Sequence, residues 1–397
     1  MADSTTSGRV RTVSRLRPFA STIFAEMTEL AVRHGAINLG QGFPDVDGPP
    51  AMLEIARRAI TEGVNQYPPG SGMPVLREAI AADRAARYGL HHDPESEVLV
   101  TVGATEAISA AILGLVEPGE EVLLTEPYYD SYAASVALAG ATRRTVPLTR
   151  SGNGFVLDVD ALRAAVTDRT RMLVVNSPHN PTGTVYDREA LTALAELACE
   201  RELLVLSDEV YEHLVFDGRT HIPLASLPGM AERTITVSSA AKTFNVTGWK
   251  IGWAMGPREL IDGVRAAKQF MTFVGGAPFQ PAVAHALTHE QEWIASMRAD
   301  LERKRTFLSH ALSEAGLKVF DSAGTYFVCA DLTPLGRTDA VAFCRELPGR
   351  IGVAAVPVSV FVDDTASWNH LVRFAFCKRD EVLTEAVARL NGLQEAR

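Results

Sequence analysis

The middle of the chain alternates short apolar runs with longer helical patterns. Six runs predict β-strands, at residues 97–102, 121–125, 171–176, 203–207, 234–238 and 251–255. Most of these runs are nearly continuous in apolar residues, which is typical of a sheet that is buried on both faces. Helical patterns occupy residues 105–115, 129–139 and 188–201 between them. This order predicts an α/β fold with a mostly parallel central sheet.

A second pattern begins after about residue 276. A helical stretch at 280–316 precedes strand patterns at 317–320 and 325–330, and a last helix is predicted within 381–393. A chain of 397 residues also exceeds one simple core. We therefore predict a large domain over residues 46–284 and a smaller α+β domain formed by residues 14–45 and 285–397. A helix near 21–33 would pack on the smaller domain, and the polar residues 1–13 would form a flexible arm.

Charge and cysteine content argue against several classes of protein. A net charge of −10 disfavours nucleic acids and anionic membranes as partners. The chain contains neither an apolar run of the length that spans a membrane nor the apolar segment of a signal peptide. Its four cysteines are scattered without a CxxC pair, so we expect no disulfide framework and no thiolate zinc site. These features predict a cytoplasmic protein.

Polar motifs follow the predicted strands, at the sheet edge where α/β proteins bind ligands. In the first motif, Gly103, Ala104 and Thr105 join a strand to a helix, and the free N–H groups and the helix dipole there favour a phosphate. The second motif contains Tyr128, which could stack on a planar ring. Taken alone, an ordinary strand–helix joint and a pair of aromatic residues at the core edge would explain both motifs.

Two further motifs surround the next strand ends. The turn at 176–183 presents the amides of Asn176 and Asn180 from a frame of two prolines and a glycine. His179 in that turn could be a base, but a solvent-facing position is the simpler interpretation. Asp208 ends a buried strand, where a carboxylate needs a cationic partner. A protonated pyridine nitrogen would supply the cation, and Tyr211 could bond a phenolic oxygen of the same ring. A metal ion is the weaker alternative, and we expect none.

Lysine is rare in this chain, which has six lysines and 32 arginines. Lys242 lies among small residues at the mouth of a predicted strand. A desolvated lysine can act as a nucleophile where arginine cannot, so Lys242 is a candidate for a covalent bond to an aldehyde. The charge of Lys250 would lower the pKa of the Lys242 amine, and Ser239 could bond a phosphate. A lone lysine would more simply be a surface residue, but the five motifs together predict a pocket for pyridoxal 5′-phosphate.

These motifs resemble those of the class I/II aminotransferases of fold type I. The resemblance rests on Asn180-Pro181-Thr182-Gly183, on Ser207-Asp208-Glu209-Val210-Tyr211 and on the segments at 238–244 and 248–253. It extends from about residue 15 to the C-terminus. The segment 38–45, with the letters NLGQGFPD, narrows the resemblance to the branch of kynurenine, glutamine and methionine aminotransferases. Within that branch the chain looks most like actinobacterial N-succinyldiaminopimelate aminotransferases.

The resemblance implies a role for each matching residue. Lys242 would bond to the cofactor and carry the proton, Asp208 would pair with the ring nitrogen, and Tyr128 would stack on the ring. Arg373 would hold the substrate carboxylate as a bidentate fork. The other implied cofactor contacts are Gly103, Ala104, Thr105, Asn176, Asn180, Tyr211, Ser239, Lys250 and, from the neighbouring subunit, Tyr67. The other implied substrate contacts are Gly42, Asn180, Phe24 and, from the neighbouring subunit, Phe273.

The resemblance also implies a reaction and an assembly. The expected reaction is transamination between N-succinyl-LL-2,6-diaminopimelate and 2-oxoglutarate, in the biosynthesis of diaminopimelate and lysine. The alternative is a kynurenine, glutamine or methionine aminotransferase with cysteine-conjugate β-lyase activity. Thr105 stands where kynurenine-type relatives carry an aromatic residue, which argues against kynurenine. Because Tyr67 and Phe273 would serve the neighbouring subunit, we expect a homodimer with shared active sites.

A ligand-sensing transcription factor built on the same fold is an alternative of a different class. Such a protein would need a basic DNA-binding segment beside the enzyme-like fold. The acidic charge balance of this chain and the complete set of cofactor motifs argue for an enzyme instead.

Overall fold

The computed structural model describes residues 12–19 and 23–393. Residues 1–11 of the predicted arm, and the first two residues of the helix predicted at 21–33, therefore lie outside the described residues. Within the described ranges, no helix combines the length and the apolar character needed to cross a lipid bilayer.

The described elements include the predicted strands and helices in the predicted order, although the helical stretch predicted at 280–316 is divided into two helices. The α-helices are α1 (Ile23–His34), α2 (Pro50–Thr61), α3 (Pro74–Tyr88), α4 (Gly103–Leu115), α5 (Asp130–Ala139), α6 (Val159–Ala165), α7 (Arg188–Glu200), α8 (Ala240–Thr243), α9 (Arg258–Lys268), α10 (Gln280–His289), α11 (Gln291–Glu314), α12 (Ala340–Ile351), α13 (Thr365–Trp368) and α14 (Asp380–Leu390). The strands are β1 (Ile37–Asn38), β2 (Val98–Val102), β3 (Glu121–Glu126), β4 (Thr142–Pro147), β5 (Thr149–Ser151), β6 (Gly154–Val156), β7 (Thr170–Asn176), β8 (Leu204–Asp208), β9 (Thr234–Ser239), β10 (Ile251–Met255), β11 (Lys318–Val319), β12 (Phe327–Asp331), β13 (Val353–Ala354), β14 (Val356–Pro357) and β15 (Leu371–Ala375). Short 3-10 turns lie at Ser14–Phe19, Leu224–Ser226, Thr247–Trp249, Thr333–Leu335, Val358–Phe361 and Asn391–Leu393.

A central sheet carries all six strands that the apolar runs predict. Among the described residues it contains seven strands, in the order β2-β10-β9-β8-β7-β3-β4. The pairs from β9 to β4 are parallel, and β10 is antiparallel to both of its neighbours. The predicted α/β fold with a mostly parallel sheet is therefore confirmed. The sequence analysis missed the edge strand β4, because its mostly half-exposed Thr-Arg-Arg-Thr segment contains no apolar run.

Helices cover both faces of this sheet, which explains the continuous apolar runs. Side chains alternate along a strand, so successive residues of β3 enter different cores. Val122 and Leu124 pack in the core that includes residues of α4, α5 and α9, whereas Leu123 packs in the core that includes residues of α6 and α7. All three side chains are fully buried. A strand buried in this way has no polar side to mark its outer face.

A second sheet lies in the C-terminal part of the chain. Its strands are antiparallel neighbours in the order β11-β12-β15-β14. Residues of α11, α12 and α14 pack against this sheet in one core, among them Leu308, Phe343 and Leu383. The predicted division into a large domain at 46–284 and a small domain at 14–45 and 285–397 stays a prediction.

The strand register places the polar motifs side by side. Asn176 at the end of β7 lies opposite Asp208 at the end of β8. Ser239 at the end of β9 lies opposite Gly252 in β10. In the second sheet, Arg373 of β15 lies between Cys329 of β12 and Val356 of β14. The ends of the central strands therefore face a common region, as the sequence predicts.

Candidate active site

A cleft at the carboxyl ends of the central strands collects most of the predicted cofactor contacts. The residues that line it are Gly103, Ala104, Thr105, Ile108, Tyr129, Tyr132, Asn176, Asn180, Asp208, Val210, Tyr211, Ser239, Ala241, Lys242, Thr247 and Lys250. Strand ends that are distant in sequence thus contribute to one pocket. Tyr128 and Tyr67 are predicted cofactor contacts that do not line this cleft.

Asp208 is held rigidly at the floor of the cleft. Its carboxylate accepts a hydrogen bond of 2.6 Å from the hydroxyl of Tyr132 and one of 3.2 Å from the backbone N–H of Val210. The side-chain amide of Asn176 donates to the backbone carbonyl of Asp208 at 2.9 Å. Burial raises the pKa of Asp208 to about 6, although the bond from Tyr132 acts in the opposite direction. A buried acid with a raised pKa is a group that a cation would stabilise in its charged form.

Lys242 projects its amine into the same cleft. Nζ donates a hydrogen bond of 2.7 Å to the hydroxyl of Tyr326, which in turn donates to the backbone carbonyl of Gly42. The pKa of the Lys242 amine is lowered to about 8, chiefly by burial; the charges of Arg373 and Lys250 act in the same direction, and that of Asp208 opposes them. The predicted effect of Lys250 therefore has the correct sign, but desolvation is the larger cause. An amine with this pKa is partly neutral near pH 8 and can act as a nucleophile.

The turn between β2 and α4 forms a cup for an anion. Gly103 has a φ of +75°, and a Cβ at this position would lie 2.9 Å from Nζ of Lys250. Lys250 itself adopts a left-handed φ of +55°, which brings its side chain over the turn. The N-terminus of α4 and the ammonium of Lys250 are thus placed to bind one negatively charged group.

Arg373 forms a fork at the edge of the cleft. Nη1 donates to the side-chain oxygen of Asn180 at 2.9 Å, and Nη2 donates to the backbone carbonyl of Gly40 at 2.8 Å. The guanidinium carbon lies 3.9 Å from the centre of the Phe327 ring. Arg373 is only 3% exposed, and its Nε has no hydrogen-bond partner among the described residues. A buried guanidinium that carries an unused donor is well suited to a carboxylate ligand.

The structure corrects the prediction for Tyr128. Its backbone N–H donates to the carbonyl of Phe361 at 2.7 Å, and its hydroxyl donates to Asp363 at 2.6 Å, so the side chain turns away from the cleft. The adjacent Tyr129 lines the cleft instead, and its hydroxyl lies 3.4 Å from that of Thr105. Two neighbouring aromatic residues after a strand face different surroundings, and Tyr129 is the one placed to stack on a planar ligand.

His179 also differs from its prediction. We expected a solvent-facing histidine, but the side chain is 1% exposed. Its Nδ1 lies 2.8 Å from the hydroxyl of Thr182, and its ring is 6.1 Å from the ring of Tyr186. Burial lowers the pKa of His179 to about 4, so the residue is a neutral part of the packed turn.

The remaining predicted contacts, two for the substrate and Tyr67 for the cofactor, have different positions. Phe24 lies 5.5 Å from the ring of Phe361 and 5.7 Å from the guanidinium carbon of Arg373, beside the fork. Tyr67 and Phe273 are in contact with each other, with ring centres 5.8 Å apart. Both are exposed, at 83% and 47%, and lie outside the cleft of their own chain.

A buried ionic network supports the segment that follows Asp208. Arg84 on α3 donates to Glu212 at 2.6 Å and to Glu209 at 3.0 Å. His221 lies 3.1 Å from Glu209 through Nε2. Glu209, Glu212 and His221 are close enough together to form a metal-binding group, but the guanidinium of Arg84 already bonds to both carboxylates. Together with Tyr132 and Tyr326, this network is what the sequence analysis missed at the site.

Comparisons with known proteins agree with this geometry. The sequence profile of the family described as aminotransferase class I and II matches residues 34–390. A Mycobacterium tuberculosis protein named "Probable N-succinyldiaminopimelate aminotransferase DapC" is 63% identical over 97% of this chain and 99% of its own length. The solved structure of N-succinyldiaminopimelate aminotransferase from the same organism has a TM-score of 0.95 at 64% identity, covering 96% of this chain and all of that one. The methionine aminotransferase of Escherichia coli is 39% identical over 96% of this chain and 98% of its own length.

Proposed function

We propose that this chain, which belongs to the class I and II aminotransferases, transfers the amino group of N-succinyl-LL-2,6-diaminopimelate to 2-oxoglutarate. Enzymes of this family depend on pyridoxal 5′-phosphate and act on an amino acid and a 2-oxo acid. The high identity to the M. tuberculosis protein over nearly the full length of both chains is the observation that carries the choice of substrate.

The residues of the cleft fit the cofactor. Asp208 has a raised pKa and no cationic partner strong enough to keep that pKa at its usual value, so a protonated pyridine nitrogen would supply the missing charge. Lys242 offers an amine with a lowered pKa for the aldehyde. Lys250, Ser239 and the N-terminus of α4 line the same cleft and would hold the phosphate. Tyr129 would cover one face of the ring, and Asn180 and Tyr211 would bond its phenolic oxygen.

The cofactor, when bound, supplies the delocalisation of the electron pair that is left when the bond from the substrate α-carbon to hydrogen breaks. The protein supplies the orientation. Arg373 would bind the α-carboxylate through its free Nε and an Nη group, beside Asn180 and the segment that contains Gly42. Lys242 Nζ would accept the proton from the substrate α-carbon and then donate it to a carbon of the cofactor. Tyr326 would fix the position of that nitrogen through their 2.7 Å hydrogen bond.

A half-reaction screen tests the proposed substrate. The pyridoxal form of the enzyme is mixed with single amino acids, and the loss of the cofactor absorbance is followed by stopped flow. N-succinyl-LL-2,6-diaminopimelate should react with a higher second-order rate constant than methionine, glutamine or kynurenine. A faster reaction with one of those three amino acids would replace the proposed substrate without affecting the assignment to the family.

Methionine is the second candidate substrate. The 39% identity to the E. coli methionine aminotransferase over most of both chains favours it. The identity is much lower than that to the M. tuberculosis protein, so this candidate ranks below the first. Kynurenine is disfavoured because Thr105, and not an aromatic residue, lies beside Tyr129 in the cleft.

We further propose a homodimer in which Tyr67 and Phe273 enter the partner's active site. Their large exposure, and their distance from the cleft of their own chain, support this arrangement. We also propose a cytoplasmic location. All four cysteines are free thiols, and three of them are buried, which suits a reducing compartment.

A further inference from the structure

A second cavity lies next to the carboxylate fork, on the side of Phe24. The residues that line it are Pro18, Phe19, Ile23, Phe24, Tyr128, Asp130, Ser131, Ala133, Ala134, Arg143, Val360, Val362 and Asp363. Phe24 connects the two regions, because its ring lies 5.7 Å from the guanidinium carbon of Arg373 and also lines the cavity. Burial raises the pKa of Asp130, another lining residue, whereas the charge of Arg373 acts in the opposite direction. The cavity is therefore adjacent to the position where Arg373 would hold a substrate carboxylate.

The cavity is mostly apolar, with a small polar group at one wall. Among the described residues that line it, Arg143 is the only one with a cationic side chain. Arg143 donates to Asp363 through Nε at 2.8 Å and through Nη2 at 2.7 Å. Tyr128 donates to the same carboxylate at 2.6 Å. The two bonds of Arg143 do not use Nη1, and the side chain is 34% exposed.

We propose that Arg143 binds the distal carboxylate of the amino-acid substrate and thereby selects long 2-amino acids that end in an acid. The apolar lining would contact the methylene groups, and Arg143 would bond the terminal carboxylate through Nη1. Asp363 holds the guanidinium in place but also competes with the ligand for its charge. This inference deepens the proposed function, whose substrate has carboxylates beyond its side-chain methylenes, and it assigns them a binding group.

The carboxylate of Asp130 would favour a substrate whose distal group is positively charged, and this provides a second test. A distal ammonium would be attracted to Asp130 and Asp363 and repelled by Arg143, whereas a distal carboxylate would show the reverse pattern. The sign of the charge that the cavity prefers therefore identifies which side chain controls specificity. Half-reaction rates of the pyridoxal enzyme with 2-aminopimelate, lysine and the uncharged 2-aminoheptanoate measure this preference directly. We expect 2-aminopimelate to react fastest of the three.

Two variants of opposite effect test the role of Arg143. Arg143→Gln should lower the half-reaction rate constant for 2-aminopimelate roughly tenfold to hundredfold, the usual worth of a hydrogen bond between charged groups, and leave that for 2-aminoheptanoate within about twofold. Asp363→Asn should raise the rate constant for 2-aminopimelate by about two- to fivefold, because a half-exposed ion pair no longer competes for Arg143. Arg144 follows Arg143 on β4 and forms an ion pair with Glu121 at 3.7 Å instead, so Arg144→Gln is the matched control and should change neither rate.

Failure of this inference is distinguishable from failure of the proposed function. Equal losses for 2-aminopimelate and 2-aminoheptanoate in Arg143→Gln would overturn the inference, as would a preference of the wild-type enzyme for lysine. A selective loss for 2-aminopimelate, in an enzyme that does not react with N-succinyl-LL-2,6-diaminopimelate, would support the role of Arg143 and reject the proposed substrate. The unchanged cofactor spectrum and melting temperature of each variant would establish that the active site is intact.

Discussion

At the scale of single residues, the chemistry depends on an acid and an amine whose pKa values are both shifted by burial. Asp208 is 3% exposed and Lys242 lies in the same cleft, and burial shifts the pKa of each toward its neutral form. In an acid and an amine, the same desolvation therefore acts in opposite directions. A protonated pyridine nitrogen would stabilise the charged form of Asp208, and the neutral form of Lys242 is the one that can bond to the aldehyde.

Removal of the carboxylate at position 208 should impair catalysis more than folding. Asp208→Ala leaves the pyridine nitrogen without an anionic partner, so we expect at least about a hundredfold loss in the half-reaction rate constant, or ~2.7 kcal/mol. Stopped-flow rates with the best amino-acid substrate measure the effect. Tyr132→Phe is the graded control, since it removes the 2.6 Å bond to Asp208 but keeps the charge. A loss below about tenfold in Asp208→Ala would show that another group supports the ring nitrogen.

The lowered pKa of Lys242 predicts a pH dependence of cofactor capture. Only the neutral amine attacks an aldehyde, and its fraction in the apoenzyme rises as the pH increases through a pKa of about 8. The rate at which apoenzyme forms the covalent bond with pyridoxal 5′-phosphate should therefore increase with pH and level off above about pH 9. Absorbance after rapid mixing gives this profile, and Lys242→Ala should give no covalent signal. A midpoint near pH 10 would mean that the amine is hydrated rather than buried.

The positions of single residues could be predicted where a backbone motif determines them. They could not be predicted where packing against distant parts of the chain determines them. Asp208 and Lys242 follow strands whose ends must face the ligand, so their positions in the cleft follow from the topology. The choice between Tyr128 and Tyr129 depends on contacts with Phe361 and Asp363, which lie more than 200 residues away in sequence. Tyr326 reaches the site from the residue directly before β12 in the second sheet, and no local pattern marks it.

At the scale of elements, the network of Arg84 ties helix α3 to the segment after β8. This segment, residues 208–212, carries both Asp208 and Tyr211. Burial alone would raise the pKa of Glu212, but the charge of Arg84 is among the groups that lower it to about 2. The network thus keeps two buried carboxylates ionised directly behind the cofactor site. Apolar runs predicted the strands within a residue or two, but they could not reveal this network, because Arg84 and Glu209 are 125 residues apart.

Loss of Arg84 should destabilise the protein strongly. Arg84→Met keeps most of the volume but leaves Glu209 and Glu212 buried without their cation, so we expect the free energy of unfolding to fall by about 3–5 kcal/mol. Urea denaturation of the cofactor-saturated enzyme measures the change. Arg57→Met on α2 is the control for an exposed pair, because this arginine pairs with Glu54 and is 66% exposed, and it should cost about 1 kcal/mol or less. Similar losses of unfolding free energy in both variants would show that the buried network contributes no more stability than an exposed ion pair.

At the scale of the whole molecule, three large aromatic side chains are exposed on two segments of the chain, at Tyr67, Phe270 and Phe273. Segments 65–68 and 274–278 line an open depression, and Tyr67 and Phe273 meet beside it. Phe270, which is close to Phe273 in the sequence, is 86% exposed. Phe273 has a left-handed φ of +65°, an uncommon backbone conformation for an aromatic residue. Exposed aromatic side chains on a conformationally unusual segment are typical of a surface that is covered in the assembled protein. The sequence could indicate this surface only through the family resemblance, because single exposed aromatic residues have no local pattern.

The homodimer and the activity should therefore be lost together. Phe270→Asp places a charge on the surface that a second copy would cover, so we expect the particle mass to fall from twice the 42.8 kDa of the chain toward that value. Activity should fall in parallel, because each active site would lose Tyr67 and Phe273 of the partner subunit. Light scattering with in-line size exclusion gives the mass, and transamination assays at the same concentrations give the activity. Val32→Asp changes an equally exposed apolar residue, 78% exposed on α1, and should remain dimeric and active. A monomeric Phe270→Asp enzyme with full activity would show that each cleft is complete within its own chain.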